Sequence, residues 1–110
     1  FVATNSAPAS KAFTDRVKAQ AGAGIPVSNY VMTHYNALVA MKAALERAGK
    51  VDKEAMIDGL EGLEIKSPTG RMTIGKNHHA AMTLFLAKTK RRDLVTVRAL
   101  GEIAPEPGCK

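Results

Sequence analysis

Between Asn29 and Gly49 apolar side chains recur at spacings of three and four: Val31, Tyr35, Leu38, Met41, Leu45 and Ala48. That period predicts one stripe along an α-helix. Ser28 or Asn29 can cap its first turn, Gly49 stands where a left-handed C-terminal cap belongs, and Glu46 and Arg47 close it on the polar side. Upstream, Ala9, Phe13, Val17 and Ala21 repeat the spacing, while Lys11, Asp15, Arg16 and Lys18 face water. A helix over 9–21 follows, with Asn5 or Ser6 near its cap and Pro8 in its first turn. Gly22 and Gly24 stop it, and Pro26 biases Ile25 towards an extended connector. A third, shorter helix runs from Asp52, its N-cap, to Gly59 or Glu61, with Met56, Leu60 and Leu63 on the buried face.

From Leu63 the period shortens to two. Glu64-Ile65-Lys66 predicts a strand, Ser67-Pro68-Thr69-Gly70 a turn, and Arg71-Met72-Thr73-Ile74 a second strand. Ala81–Lys88 is a dense apolar run, which predicts a strand buried on both faces near its middle. Leu94–Leu100 alternates, placing Val95, Val97 and Ala99 on one face. These two runs form a hairpin around the polar tip Thr89–Asp93, and Ala104–Lys110 is an irregular tail. Helices first and strands second suggest, taken alone, an α+β order.

With 110 residues, 45% of them hydrophobic, the chain has material for one domain. Aromatics are only 5%, so the core is aliphatic, with Met32, Met41, Met56, Met72 and Met82 as filler. The formal charge of +6 raises the question of nucleic acid, but the basic residues are dispersed and lack interleaved aromatics for base stacking. The one cysteine, Cys109, supports neither an internal disulfide nor a cysteine metal site. His78 and His79 are adjacent, so on a strand their rings point to opposite faces and do not converge on a metal. His34-Tyr35 has no Ser or Cys nucleophile in a recognisable motif beside it, and Gly22-Ala23-Gly24 runs into Ile-Pro rather than a helix, so it is no phosphate loop. No catalytic residue, metal site or cofactor is expected, and the chain is not expected to be an enzyme. The opening Phe1-Val2-Ala3 reads as the end of a β-strand, so the chain is expected to be a piece of a longer polypeptide.

Four landmarks stand in order: SKAFTDRVKAQAG (Ser10–Gly22); Tyr35-Asn36-Ala37-Leu38 with the later Ala48-Gly49; Val51-Asp52-Lys53-Glu54-Ala55; and Ser67-Pro68-Thr69-Gly70, followed by Asn77-His78-His79 and a hairpin ending Ile103-Ala104-Pro105-Glu106-Pro107. In this order and spacing they resemble the C-terminal third of the type I periplasmic solute-binding proteins. The branch they look most like binds branched-chain amino acids, short amides and urea for ABC transporters. The resemblance implies an α/β parent of two lobes joined by three crossovers, with a ligand cleft between lobes that close around it. This chain is then a C-terminal fragment, three helices followed by short strands and a β-hairpin. Residues 1–63 would be the helical part of one lobe, 64–77 a crossover, 78–103 the hairpin and 104–110 the tail.

Carried over on Thr33-His34-Tyr35-Asn36-Ala37-Leu38, the resemblance puts Tyr35 where an aromatic ring lines the cleft, the ring covering the ligand and the hydroxyl orienting it. The other reading is a core tyrosine. His34 stands where a small or hydroxyl residue is commoner, which would alter the pocket beside Tyr35. The implied partners are a small-molecule ligand (amino acid, amide or urea), an ABC transporter permease and the remainder of the polypeptide, in the periplasm. No nucleic acid, metal or cofactor is implied. An alternative is a ligand-sensing regulatory or interaction domain of the same fold. Alone, the chain would leave strand edges and a helix stripe uncovered, so it is expected to form a homodimer, swap strands or bind its missing half.

Overall fold

A computed structural model describes residues 3–91 and 93–106. Three helices come first: α1 (Pro8–Ala21), α2 (Asn29–Ala48) and α3 (Lys53–Leu60). Four strands follow: β1 (Glu64–Ser67), β2 (Gly70–Ile74), β3 (Ala80–Lys90) and β4 (Asp93–Ile103). They pair in sequence order, each antiparallel to the next. The chain is thus a mixed α/β piece of three helices and a four-stranded meander. The readings of Phe1-Val2 as a strand end, of Arg92 in the tip and of Cys109 in the tail lie outside the described residues.

Local chemistry sets the helix ends. Pro8 occupies the first turn of α1, where its missing N–H costs nothing. The cap position itself is Ala7, not Asn5 or Ser6; Asn5 instead accepts a bond from the Ala7 N–H at 3.1 Å and fixes the entry loop. Asp52 caps α3 as expected, its carboxylate accepting from the Ala55 N–H at 2.9 Å. Gly49 ends α2 with φ 69°, a backbone that other residues adopt only under strain.

The buried face of α2 differs from the predicted stripe. Met32, Asn36, Ala40 and Ala44 are buried, whereas Leu38 is 67% exposed and Met41 42%. The buried set is an i, i+4 row of mostly small residues, because α3 needs close approach. A Cβ on Gly59 would lie 2.7 Å from the Ala44 carbonyl oxygen. On α1 the buried residues are Ser10, Phe13 and Thr14, while Ala9 and Ala21 stay exposed. Ser10 is buried because its hydroxyl donates to the Pro68 carbonyl at 2.8 Å, tying α1 to the β1–β2 turn.

One core cluster joins Ala40 and Ala44 to Leu63, Ile65, Met72 and Ile74, so α2 covers β1 and β2. A second joins Phe13, Val27 and Met32 between α1 and α2, with Tyr35 packed against it. On the other face of the sheet, Arg71 bridges Glu64 at 3.6 Å and Glu102 at 3.1 Å.

The hairpin departs from its pattern in two ways. β3 is not buried on both faces: Leu84 and Leu86 are 43% and 46% exposed, because the helical layer reaches only its first residues, Ala80 and Met82. On β4, Leu84 pairs with Gly101 and Phe85 with Ala99, passing over Leu100. Likewise Leu86 pairs with Arg98 and Ala87 with Thr96, passing over Val97. Each irregularity flips the side chains beyond it, so Val95 and Ala99 lie on opposite faces rather than one.

Candidate functional site

Two concavities flank α2. The larger, about 580 Å³, lies between α2 and the inner face of β2 and β3, with Met32, Ala40, Met72, Met82 and Phe85 in its wall. Asn36 also faces it; that side chain is only 7% exposed, and its Oδ1 has no hydrogen-bond partner among the described residues.

The smaller, about 450 Å³, lies between α1 and α2. Its lining includes Phe13, Arg16, Val17, Gln20 and Tyr35. Phe13 and Tyr35 meet with ring centroids 5.0 Å apart and planes tilted by 59°, a favoured aromatic contact. Phe13 is buried at 4% exposure and anchors the floor; Tyr35 is half-buried, with part of its ring available to the hollow.

The two residues singled out in the sequence are therefore separated. Tyr35 lines the α1–α2 hollow. His34, one position and about 100° away around the helix, lines neither concavity. It is exposed, and its Nδ1–H donates to the Tyr30 carbonyl one turn back at 2.8 Å. His78 and His79 sit in the exposed β2–β3 connection, where His78 has φ 59° and its Nε2 lies 3.7 Å from the Glu61 carboxylate. Among the described residues, no three His, Cys, Asp or Glu side chains group as metal ligands would.

Sequence reasoning missed Arg16 and Gln20, assigning Arg16 only to the wet face of α1. The signal was present in the spacing: Phe13, Arg16, Val17 and Gln20 stand at i, i+3, i+4 and i+7, so all four border one face.

The model of the family described as periplasmic binding protein matches residues 1–93. The chain belongs to the periplasmic binding protein family. Two solved structures share its fold. An ABC-type branched-chain amino acid transporter from Rhodopseudomonas palustris CGA009 superposes with a TM-score of 0.68 at 24% identity. The match covers 86% of this chain and 27% of that one. A solute binding protein of an ABC transporter from Rhodopseudomonas palustris HaA2, in complex with p-hydroxybenzoic acid, superposes with a TM-score of 0.69 at 19% identity. Here 97% of this chain and 30% of that one are covered. The chain thus spans less than a third of either neighbour. No curated protein matches it. As a periplasmic binding protein it belongs to a family of solute binders, and none of its described helices is long and apolar enough to cross a membrane.

Proposed function

We propose that this chain is part of the extracytoplasmic, periplasmic solute-binding component of an ABC transporter. Its ligand is a small polar molecule of the amino acid, amide or urea class, held without covalent chemistry in a cleft between two lobes. The family match over residues 1–93 carries this reading. The two structural neighbours support it: one is a branched-chain amino acid transporter component, the other a solute binding protein holding p-hydroxybenzoic acid. In this arrangement residues 1–63 serve one lobe, 64–77 cross over, 78–103 reach the other lobe as the hairpin, and 104–110 are the tail. The remainder of the polypeptide completes the cleft, and the transporter's permease receives the closed form.

Tyr35 is the ligand-contacting residue of this chain; His34, exposed and bonded to the Tyr30 carbonyl, reaches the ligand only if the remainder of the polypeptide extends the site over that face of α2. A half-exposed ring fixed by Phe13 suits the task, since a rigid aromatic face covers a ligand at low entropic cost. Isothermal titration of the gene-encoded polypeptide carrying this chain tests the proposal, with leucine, valine, acetamide, urea and p-hydroxybenzoate as ligands. We expect binding of one of these at micromolar concentration, with Tyr35→Ala weakening it at least about tenfold, the scale of one lost contact of about 1.4 kcal/mol. Binding of none, or an affinity indifferent to Tyr35→Ala, overturns the reading.

A further inference from the structure

The far end of the β3–β4 hairpin concentrates the charge of the molecule. Residues 88–93 hold four cations, Lys88, Lys90, Arg91 and Arg92, against the one carboxylate of Asp93, which is half of the chain's formal +6. Several cations elsewhere are matched: Lys11 pairs with Asp15, Lys42 with Glu46, Lys53 with Glu54, and Arg71 with Glu64 and Glu102. Lys88, Lys90 and Arg91 are exposed and form no ion pair among the described residues. Strand alternation sets Lys88 and Lys90 on one face of β3, and the register adds Val95 opposite Lys88. The helical layer covers that face only as far as Met82, so Lys88 stands about 20 Å past it at the rise of a strand. Beside the turn, Leu94 is 53% exposed.

A cationic end that stands clear of the helices, with an exposed aliphatic side chain beside it, fits one kind of surface. Single-stranded nucleic acid calls for aromatic rings among the cations, and residues 86–98 contain none. An acidic protein face calls for a shaped set of contacts, whereas lysines on flexible stems act as point charges. A lipid surface calls only for unpaired cations at the headgroups and an apolar side chain that enters between them. We propose that the hairpin tip docks on a bilayer surface bearing anionic lipid headgroups, with Lys88, Lys90 and Arg91 at the headgroups and Leu94 entering the interface. Each cation contributes about fivefold in partition, so the contact is weak and reversible. It depends neither on which solute the polypeptide carries nor on Tyr35.

Co-sedimentation of the gene-encoded polypeptide carrying this chain tests the proposal, with phosphatidylcholine vesicles that contain either no phosphatidylglycerol or about one-third of it. We expect partition into the anionic vesicles at least about tenfold above the neutral ones at low salt, falling away as salt screens the charges. Lys88→Gln with Lys90→Gln lowers that partition at least about tenfold. Lys11→Gln with Lys42→Gln takes the same charge from the helices and leaves it within about threefold. Leu94→Thr weakens partition by a factor that salt does not change. Circular dichroism and thermal melting establish that each variant is folded. Equal partition into both kinds of vesicle overturns the proposal. Equal losses from the two lysine pairs overturn it too, because net charge alone then accounts for the attraction. Capture instead by neutral vesicles carrying the transporter permease, lost with the Lys88 and Lys90 substitutions, would assign the tip to an acidic protein face. Leu94→Thr without effect overturns the insertion of Leu94.

Discussion

Gly59 is where a single hydrogen atom decides the packing of two helices. A Cβ there would lie 2.7 Å from the Ala44 carbonyl oxygen and 3.3 Å from its carbon, both backbone atoms that cannot swing aside. Alanine would gain about 1 kcal/mol of helix propensity. Forcing α3 away from a residue as buried as Ala44, at 0% exposure, costs about 1–3 kcal/mol. We expect the second effect to win, so Gly59→Ala lowers the urea midpoint of unfolding; an unchanged or raised midpoint would show that the helices separate freely. Asp52 presents the opposite case. Its cap bond to Ala55 is local, so Asp52→Ala should cost about 1 kcal/mol in the same measurement, with Asp52→Asn retaining most of it. Asp52 was legible in the sequence because cap and recipient are three residues apart. Gly59 read only as one of two ends for the third helix, because its true neighbour lies on a different element and its role exists only once the two meet.

At the scale of elements, order and extents follow the sequence closely, and orientation does not. Helix ends at Pro8, Gly49 and Asp52, and the antiparallel hairpin of β3 and β4, all follow from short-range signals. The face that α2 buries does not, since α2 is apolar on more than one side and periodicity alone selects the stripe with the larger residues. Contact with the sheet and α3 selects Ala40 and Ala44 instead, because small side chains let backbones approach. A paired substitution separates the two faces. Ala40→Leu should destabilise by about 1–3 kcal/mol through overpacking. Leu38→Gln, at 67% exposure, should stay within about 0.5 kcal/mol of the parent. Guanidinium unfolding of the two variants reads the difference, and the reverse ranking would restore the stripe drawn from the sequence. The candidate site shows the same limit. Tyr35 stood out through its resemblance to a family segment, but its placement against α1 depended on the Phe13 contact, and Arg16 looked like any charge on a wet helix face.

For the molecule as a whole, the uneven cover of its sheet governs behaviour in solution. α2 packs over β1 and β2, and the helical layer ends at the first residues of β3. Beyond it Leu84 and Leu86 stand 43% and 46% exposed on the same inner face, at and beyond the open end of the 580 Å³ groove, with Leu38 and Met41 exposed on α2. Contiguous apolar surface of this kind favours association. The two irregularities that pass over Val97 and Leu100 disturb the ladder of β4, so its edge is a poorer template than a regular strand would be. Association of the isolated chain should therefore run through the inner face rather than the β4 edge. Light scattering on the 110-residue chain should give a mass that climbs above 11.7 kDa as concentration rises. The double variant Leu84→Glu with Leu86→Glu should hold it at the monomer value, with thermal melting unchanged because both side chains are already wet. A wild-type chain that stays monomeric at 100 µM would remove the premise. A mass that still climbs in the double variant would move the contact to the β4 edge, where a proline in place of Val97 would be the next substitution to break it.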